Sequence, residues 1–284
     1  MKRRIFPLFM AIVPGALSVG VSAQTVSINF SGGRGNEPDG FPLAATDFAG
    51  NPAVPGSFVA NWNNAPGANG TNLPLVDHTG AATSLLLSYS CPNTWSLPDT
   101  SIGANLSGGA NPQMMRGYID SSNTVGPSVT ITGLSSLFTY YRVAIFFDGD
   151  NGTAWRVATF TITNNADSSI LFQDSGEDSE GVNFNAGGGG SGNENPDGLF
   201  QVPVPGGTGN LMWPVSPNND EGNFLLSRSL TADSITITGL GTAGSGSTRR
   251  APINGIQIVV PEPASLGLLA LGTGALLARR RKRS

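Results

Sequence analysis

Few side chains in this sequence have chemistry to offer, and they are scattered. Asp148-Gly149-Asp150-Asn151-Gly152 sets two carboxylates at alternate positions beside a glycine turn, which is how a calcium-binding loop begins. A twelve-residue calcium loop would close on a bidentate Glu, yet the twelfth position counted from Asp148 is Thr159. Asn151-Gly152 is also a favoured hairpin turn, so this stretch supports both a turn and a calcium site. A second acidic stretch, Asp174, Glu177, Asp178 and Glu180, precedes Gly187–Gly190 and Glu194 without a ligand spacing and reads as a solvated loop. Its glycines are not a phosphate cradle, because no Lys-Ser/Thr follows them.

Catalytic groups are scarcer still. His78, in Asp77-His78-Thr79-Gly80, is the only histidine, and no Gly-x-Ser-x-Gly elbow accompanies it. With one His and one Cys a zinc centre has too few ligands. Cys91 excludes an intrachain disulfide and reads as a small buried hydrophobe. The expectation is therefore no enzyme, no catalytic residue, no metal site and no cofactor, with calcium the one ion left open. Trp62, Trp95, Trp155 and Trp213 lie near Asn, Pro or Gly. Each either plugs the core or offers an apolar face to a sugar, and Trp155 beside the Asp148–Gly152 turn is the best placed for the latter.

The elements that must hold these residues are strands. Charged residues are 12% of the chain, half the usual ~25%. Between Gln24 and Val260 there is no long helical period, only short alternating or apolar runs broken by Gly, Pro, Asn and Asp. Strands are predicted over 25–30, 57–62, 84–89, 114–119, 128–133, 140–147, 156–163, 170–173, 199–204, 223–229, 234–239 and 253–260. That is too many for a minimal seven-stranded immunoglobulin sandwich and fits a jelly roll with extra strands and long loops. Ser128-Val-Thr-Ile-Thr-Gly-Leu134 is echoed by Ser234-Ile-Thr-Ile-Thr-Gly-Leu240, a repeated strand ending on a turn glycine. Leu134 followed by Tyr140 and the run to Phe147 suggests a tyrosine corner, in which a Tyr hydroxyl ties down a sandwich crossover.

Both ends read as addresses. Lys2, Arg3 and Arg4 precede an apolar run from Ile5 to Val21, and Val21-Ser22-Ala23 supplies the small residues a signal peptidase reads. Cleavage is expected between Ala23 and Gln24. At the other end Pro261-Glu262-Pro263 precedes fifteen uncharged residues, Ala264 to Ala278, and then Arg279, Arg280, Arg281, Lys282 and Arg283. As a helix 264–278 would span ~22 Å, short of a ~30 Å hydrocarbon core, a deficit that snorkelling arginines partly make up. The basic tail, 279–284, should stay cytoplasmic by the positive-inside rule. Removing both basic ends leaves seven arginines, no lysine and eighteen acids between Gln24 and Val260, a net charge of −11. No basic face remains to neutralise phosphates, which excludes nucleic acid as a partner.

Motif, short apolar helix and Arg-rich end, in that order over 261–284, resemble the PEP-CTERM sorting signal. The resemblance implies recognition of Pro261, Glu262 and Pro263 by an exosortase, a membrane-embedded transpeptidase-like enzyme. The prolines hold that segment extended and free of helix, within reach of such an enzyme. The middle is similar to exported PEP-CTERM proteins with jelly-roll or galactose-binding-like ectodomains. That similarity is carried by Asn61-Trp62-Asn63-Asn64, Phe147 to Gly152, and Arg250-Ala-Pro-Ile-Asn-Gly-Ile-Gln-Ile258, the last as closing strand.

The expected organisation is a signal peptide over 1–23, an all-β jelly-roll-like sandwich ectodomain over 24–260, and a sorting segment over 261–284 with a single transmembrane helix. The chain would be exported, anchored in the cytoplasmic membrane by its C-terminal helix, then sorted to the surface or extracellular matrix. Its partners would be signal peptidase, exosortase and extracellular polysaccharide. Two alternatives remain: a carbohydrate-binding module with Trp faces in one groove, and a glycoside hydrolase with two acids roughly 5–10 Å apart in a cleft.

Overall fold

The computed structural model describes residues 24–33, 42–52, 54–96, 111–147, 149, 156–178, 224–244 and 249–260. The signal peptide, the sorting segment 261–284, Asp148, Asp150–Trp155, the strand predicted over 199–204, Glu180, Gly187–Gly190, Glu194 and Trp213 lie outside them. Among the described residues no helix is long and apolar enough to cross a membrane.

The described chain is all-β apart from one four-residue helix, α1 (Asn111–Met114), and a 3-10 turn over Leu134–Ser136. Its strands are β1 (Thr25–Asn29), β2 (Asn63–Asn64), β3 (Asn69–Val76), β4 (Ala82–Ser90), β5 (Asn93–Ser96), β6 (Gly117–Asp120) and β7 (Ser128–Thr132). They continue with β8 (Arg142–Phe146), β9 (Arg156–Asn164), β10 (Ile170–Asp178), β11 (Phe224–Leu226), β12 (Ile235–Gly244) and β13 (Gly255–Val259). One sheet runs β11-β8-β13-β1-β2, a second β10-β9-β12-β7-β4-β3, and β5-β6 form a separate two-stranded sheet.

The pairing is that of one long hairpin rolled up. From inside outward, β9 pairs with β10, β8 with β11, β7 with β12 and β1 with β13, every pair antiparallel. The first and third pairs counted from the outside share one sheet, and the other two share the second. These eight strands are a jelly roll. Strands β3 and β4 widen the second sheet, while the β5-β6 pair meets the chain just after β1, with Thr94 donating to the Gly33 carbonyl at 3.1 Å.

The period-2 pattern explains the core. In β7, Val129 and Ile131 point inward while Ser128, Thr130 and Thr132 point out, and Ile235 and Ile237 do the same in β12. These residues meet Ile28, Val143, Ile145, Ile256 and Ile258 of the facing sheet, and Phe147 packs on Phe160 with ring centroids 4.8 Å apart. Each fully buried Ile or Phe contributes about 2 kcal/mol. The echoed sequences are neighbours: β7 pairs with β12, placing Thr130 opposite Thr236.

The first sheet is buried on both faces, as the unbroken burial of β1 and β13 shows. Its outer face is roofed by the chain between Leu43 and Trp62 and by α1, which bury Leu43, Ala49, Trp62, Met114 and Met115 against Ala144, Phe146 and Phe224. Here the strand predicted over 57–62 is corrected. That stretch makes a single bridge, Ala49 to Val59, because Pro55-Gly56 turns the chain and Asn61 sits at φ 56°. The strand predicted from Met114 likewise begins late, at Gly117, after a helical turn. Strand β3 was not expected from its sequence, Asn-Gly-Thr-Asn-Leu-Pro-Leu-Val. It is an edge strand whose two register shifts accommodate Gly70 and Pro74.

Candidate functional site

The two ends of the jelly roll meet at one pole. Thr25 opens β1 and pairs with Val259, which closes β13, and Val259 pairs on its other side with Arg142, which opens β8. Arg142 donates from Nε to the Ser227 carbonyl at 2.6 Å. On the far side of Thr25 lies the turn joining β3 to β4: the His78 N–H donates to the Thr25 carbonyl at 2.8 Å and the Thr25 N–H donates to His78 Nδ1 at 3.3 Å. Ser227, Arg142, Val259, Thr25 and His78 thus form a row across the end of the sheet. The expected cleavage point, Ala23-Gln24, and the expected motif, Pro261–Pro263, begin within two residues of that row.

The turn is built by Asp77. Its Oδ1 accepts from the Thr79 N–H at 2.9 Å, the Thr79 hydroxyl at 2.6 Å and the Ala81 N–H at 3.1 Å, while Gln24 Nε2 donates to Oδ2 at 3.1 Å. Gly80, at φ 83°, closes the reversal with its N–H on the Asp77 carbonyl. Burial pushes the Asp77 carboxyl up, but the hydrogen bonds from Thr79, Gln24 and Ala81 outweigh it and hold the group below its ordinary value. His78 is a clamp: its Nδ1 accepts from the Thr25 N–H, and Asp77 is engaged by other partners.

Other candidates resolve into structure. Trp62 is 5% exposed, bonds the Val59 carbonyl at 3.0 Å and packs edge-on to Phe146, so it is a core plug; Trp95 is half-buried in β5. The Cys91 thiol is pushed up to about 11 by burial and donates to the Asn93 carbonyl at 2.9 Å. The tyrosine corner falls one residue later than expected. Tyr141, fully buried, ties its hydroxyl to the Ala232 carbonyl at 2.7 Å, whereas Tyr140 is exposed, because strand alternation sends only one of the two inward. Among the described residues no group of three His, Cys, Asp or Glu side chains could hold a metal ion.

The carboxylates of Asp47, Asp120, Asp167, Asp174 and Asp233 are each tied to a neighbouring backbone, hydroxyl or arginine group. Within Asn61-Trp62-Asn63-Asn64 the asparagines make internal ties. Asn63 bridges β1 and β3, donating to the Ser27 and Val76 carbonyls at 2.9 Å and accepting from the Val76 N–H at 2.8 Å. Gln257, fully buried, donates to Ser27 Oγ and the Ser57 carbonyl and accepts from the Ser57 hydroxyl. A polar residue inside an apolar strand run, as Gln257 is, was the available signal for such a tie.

The outer face of the second sheet is a hydroxyl array. Ser88, Thr130, Thr236 and Thr163 lie in one cross-strand row, and Ser90, Ser128, Thr238, Thr161 and Gln173 in the next. Thr236 donates to Asn165 Oδ1 at 2.8 Å and meets Thr130 Oγ1 at 2.9 Å; Gln173 donates to Thr161 Oγ1 at 3.0 Å. These rows contain no charge, and Leu86 and Leu240 stand exposed on the same sheet.

Fold and ends together define an all-β jelly-roll protein with a C-terminal sorting segment. Residues 259–282 match the family profile of the PEP-CTERM protein-sorting motif. No curated protein matches the chain. Among solved structures, the chain is similar to the CBM32 of AlyQ in complex with 4,5-unsaturated mannuronic acid, at 17% identity over 60% of this chain and 95% of that one, with a TM-score of 0.25. At that TM-score the likeness carries no argument about ligand or fold.

Proposed function

We propose that the chain is an exported cell-envelope or extracellular-matrix protein, cleaved by signal peptidase before Gln24, held by a membrane helix over 264–278 and processed by an exosortase at Pro261, Glu262 and Pro263. The jelly roll is its non-catalytic body. One observation carries the reading: among the described residues the first strand begins at Thr25 and the last ends at Val259, paired with each other, one residue inside the expected signal cleavage and two before the sorting motif. A segment cut from either end leaves the hydrogen-bonded body whole. The test is pulse–chase of the full chain with Pro261→Ala and Glu262→Ala. Processing and surface delivery should stop, and normal delivery of this variant discards the exosortase assignment.

A second reading, binding of neutral polysaccharide, rests on the hydroxyl array. Serine and threonine hydroxyls exchange hydrogen bonds with sugar hydroxyls, and rows without arginine or lysine offer no clamp for a uronate. Glycan-array binding with and without calcium tests it, with a preference for neutral over acidic glycans expected and no binding in either condition leaving the scaffold reading alone.

A further inference from the structure

The sorting motif follows the fold with no linker. Val259 is the last residue of a strand held on both sides, by β1 and by β8, so it cannot peel away without breaking two ladders. Only Val260, itself packed on the core, separates it from Pro261. A fully extended chain puts Pro261 at most ~7 Å from Val259 and Ala264 at most ~17 Å from it. Any enzyme that grips Pro261–Pro263 in a groove must therefore work against the pole around the exit. The bilayer, up to ~17 Å away, need not touch the pole at all.

We infer that this pole is a docking surface for the membrane-embedded enzyme that processes the motif, an inference that rests on the sorting function proposed above. The surface is the exposed Thr79-Gly80 tip of the turn, the half-buried His78 and the exposed Tyr140, arranged around the Thr25–Val259 pair. It is pre-organised: the three hydrogen bonds onto Asp77 Oδ1 hold the tip in one shape, and the His78–Thr25 bonds lock the turn to the strand from which the motif emerges. Docking delivers the motif at a high effective concentration and in a fixed orientation, a benefit that a flexible linker would dilute.

The experiment follows precursor processing by pulse–chase in cells carrying the enzyme, with the full-length chain throughout. One variant inserts a Gly/Ser spacer of about eight residues between Val260 and Pro261, which adds up to ~26 Å of reach. Another combines Thr79→Glu with Tyr140→Glu at the pole, and a control places Val125→Glu on an exposed turn at the opposite end. The spacer and the pole variant should each slow processing about tenfold, with the control at the wild-type rate. Wild-type processing of the spacer variant overturns the inference, and so does a control as slow as the pole variant. Normal processing of Pro261→Ala/Glu262→Ala is a different result: it removes the sorting function, and the docking surface falls with it.

Discussion

Asn63 and Gln257 each satisfy several buried partners at once, so truncation leaves more than one polar group stranded. Gln257→Ala should cost about 3 kcal/mol, read as a lower denaturant midpoint with an unchanged slope. Asp77 sets the pH response of the pole. Its folded value lies below the ordinary 3.8, so its contribution is complete above that value and is lost as pH falls through the lower, folded one. Asp77→Asn should therefore lower the melting temperature at pH 6, and the gap to the parent should close once the pH falls below the folded value. Cys91 is the opposite case. With its thiol pushed up to about 11, it is almost wholly protonated at neutral pH, and iodoacetamide labelling of the folded protein should stay slow until the pH approaches that value or the chain unfolds.

At the scale of elements, the two Ser-x-Thr-Ile-Thr-Gly-Leu runs became adjacent strands with Thr130 opposite Thr236; alternation made their inward and outward residues legible, but not their pairing. The glycines that close these runs were legible as turns only in part. Gly133 does turn, at φ 82°, but Gly239 continues within β12, where it lies against Phe160 and its carbonyl abuts Gly126. A Cβ on Gly126 would stand 1.5 Å from the Gly239 carbonyl oxygen, so Gly126→Ala should force the β6–β7 connection off the sheet and cost roughly 2–3 kcal/mol in thermal unfolding. The crossover tie is weaker. Tyr141→Phe keeps the packing and loses the bond to Ala232, which predicts a loss of about 1 kcal/mol. Strand β3 escaped the sequence because edge strands tolerate the proline and glycine that usually argue against a strand.

For the whole molecule, the register polarises the jelly roll. Asn29, Phe146, Arg156, Asp178, Phe224 and Gly244 all lie at the end opposite the Thr25–Val259 pair. The chain therefore leaves the described fold at Asp178 and returns to it at Phe224 at the end opposite Val259. The neighbouring ends make a direct prediction. A circular permutant joining Val260 to Gln24 through a short Gly/Ser linker, and opened between Ser245 and Ser247, should fold with a melting temperature within a few degrees of the parent. Failure to fold would mean that the β1–β13 pair does not bring the ends together.

The C-terminal sorting motif, the all-β class and the inward-facing strand residues were legible in the sequence, because each depends on local order: a motif beside an apolar run and a basic end, or alternation with period 2. Pairing partners were not, since a hydrogen-bonded ladder between residues more than two hundred positions apart leaves no mark in either segment. Only the folded chain made Asn63 and Gln257 internal ties, Trp62 a plug and Tyr141 the corner, because burial is a property of what packs on a residue and not of its neighbours in line. The adjacency of Thr25 and Val259, on which the pole depends, belongs to that second kind.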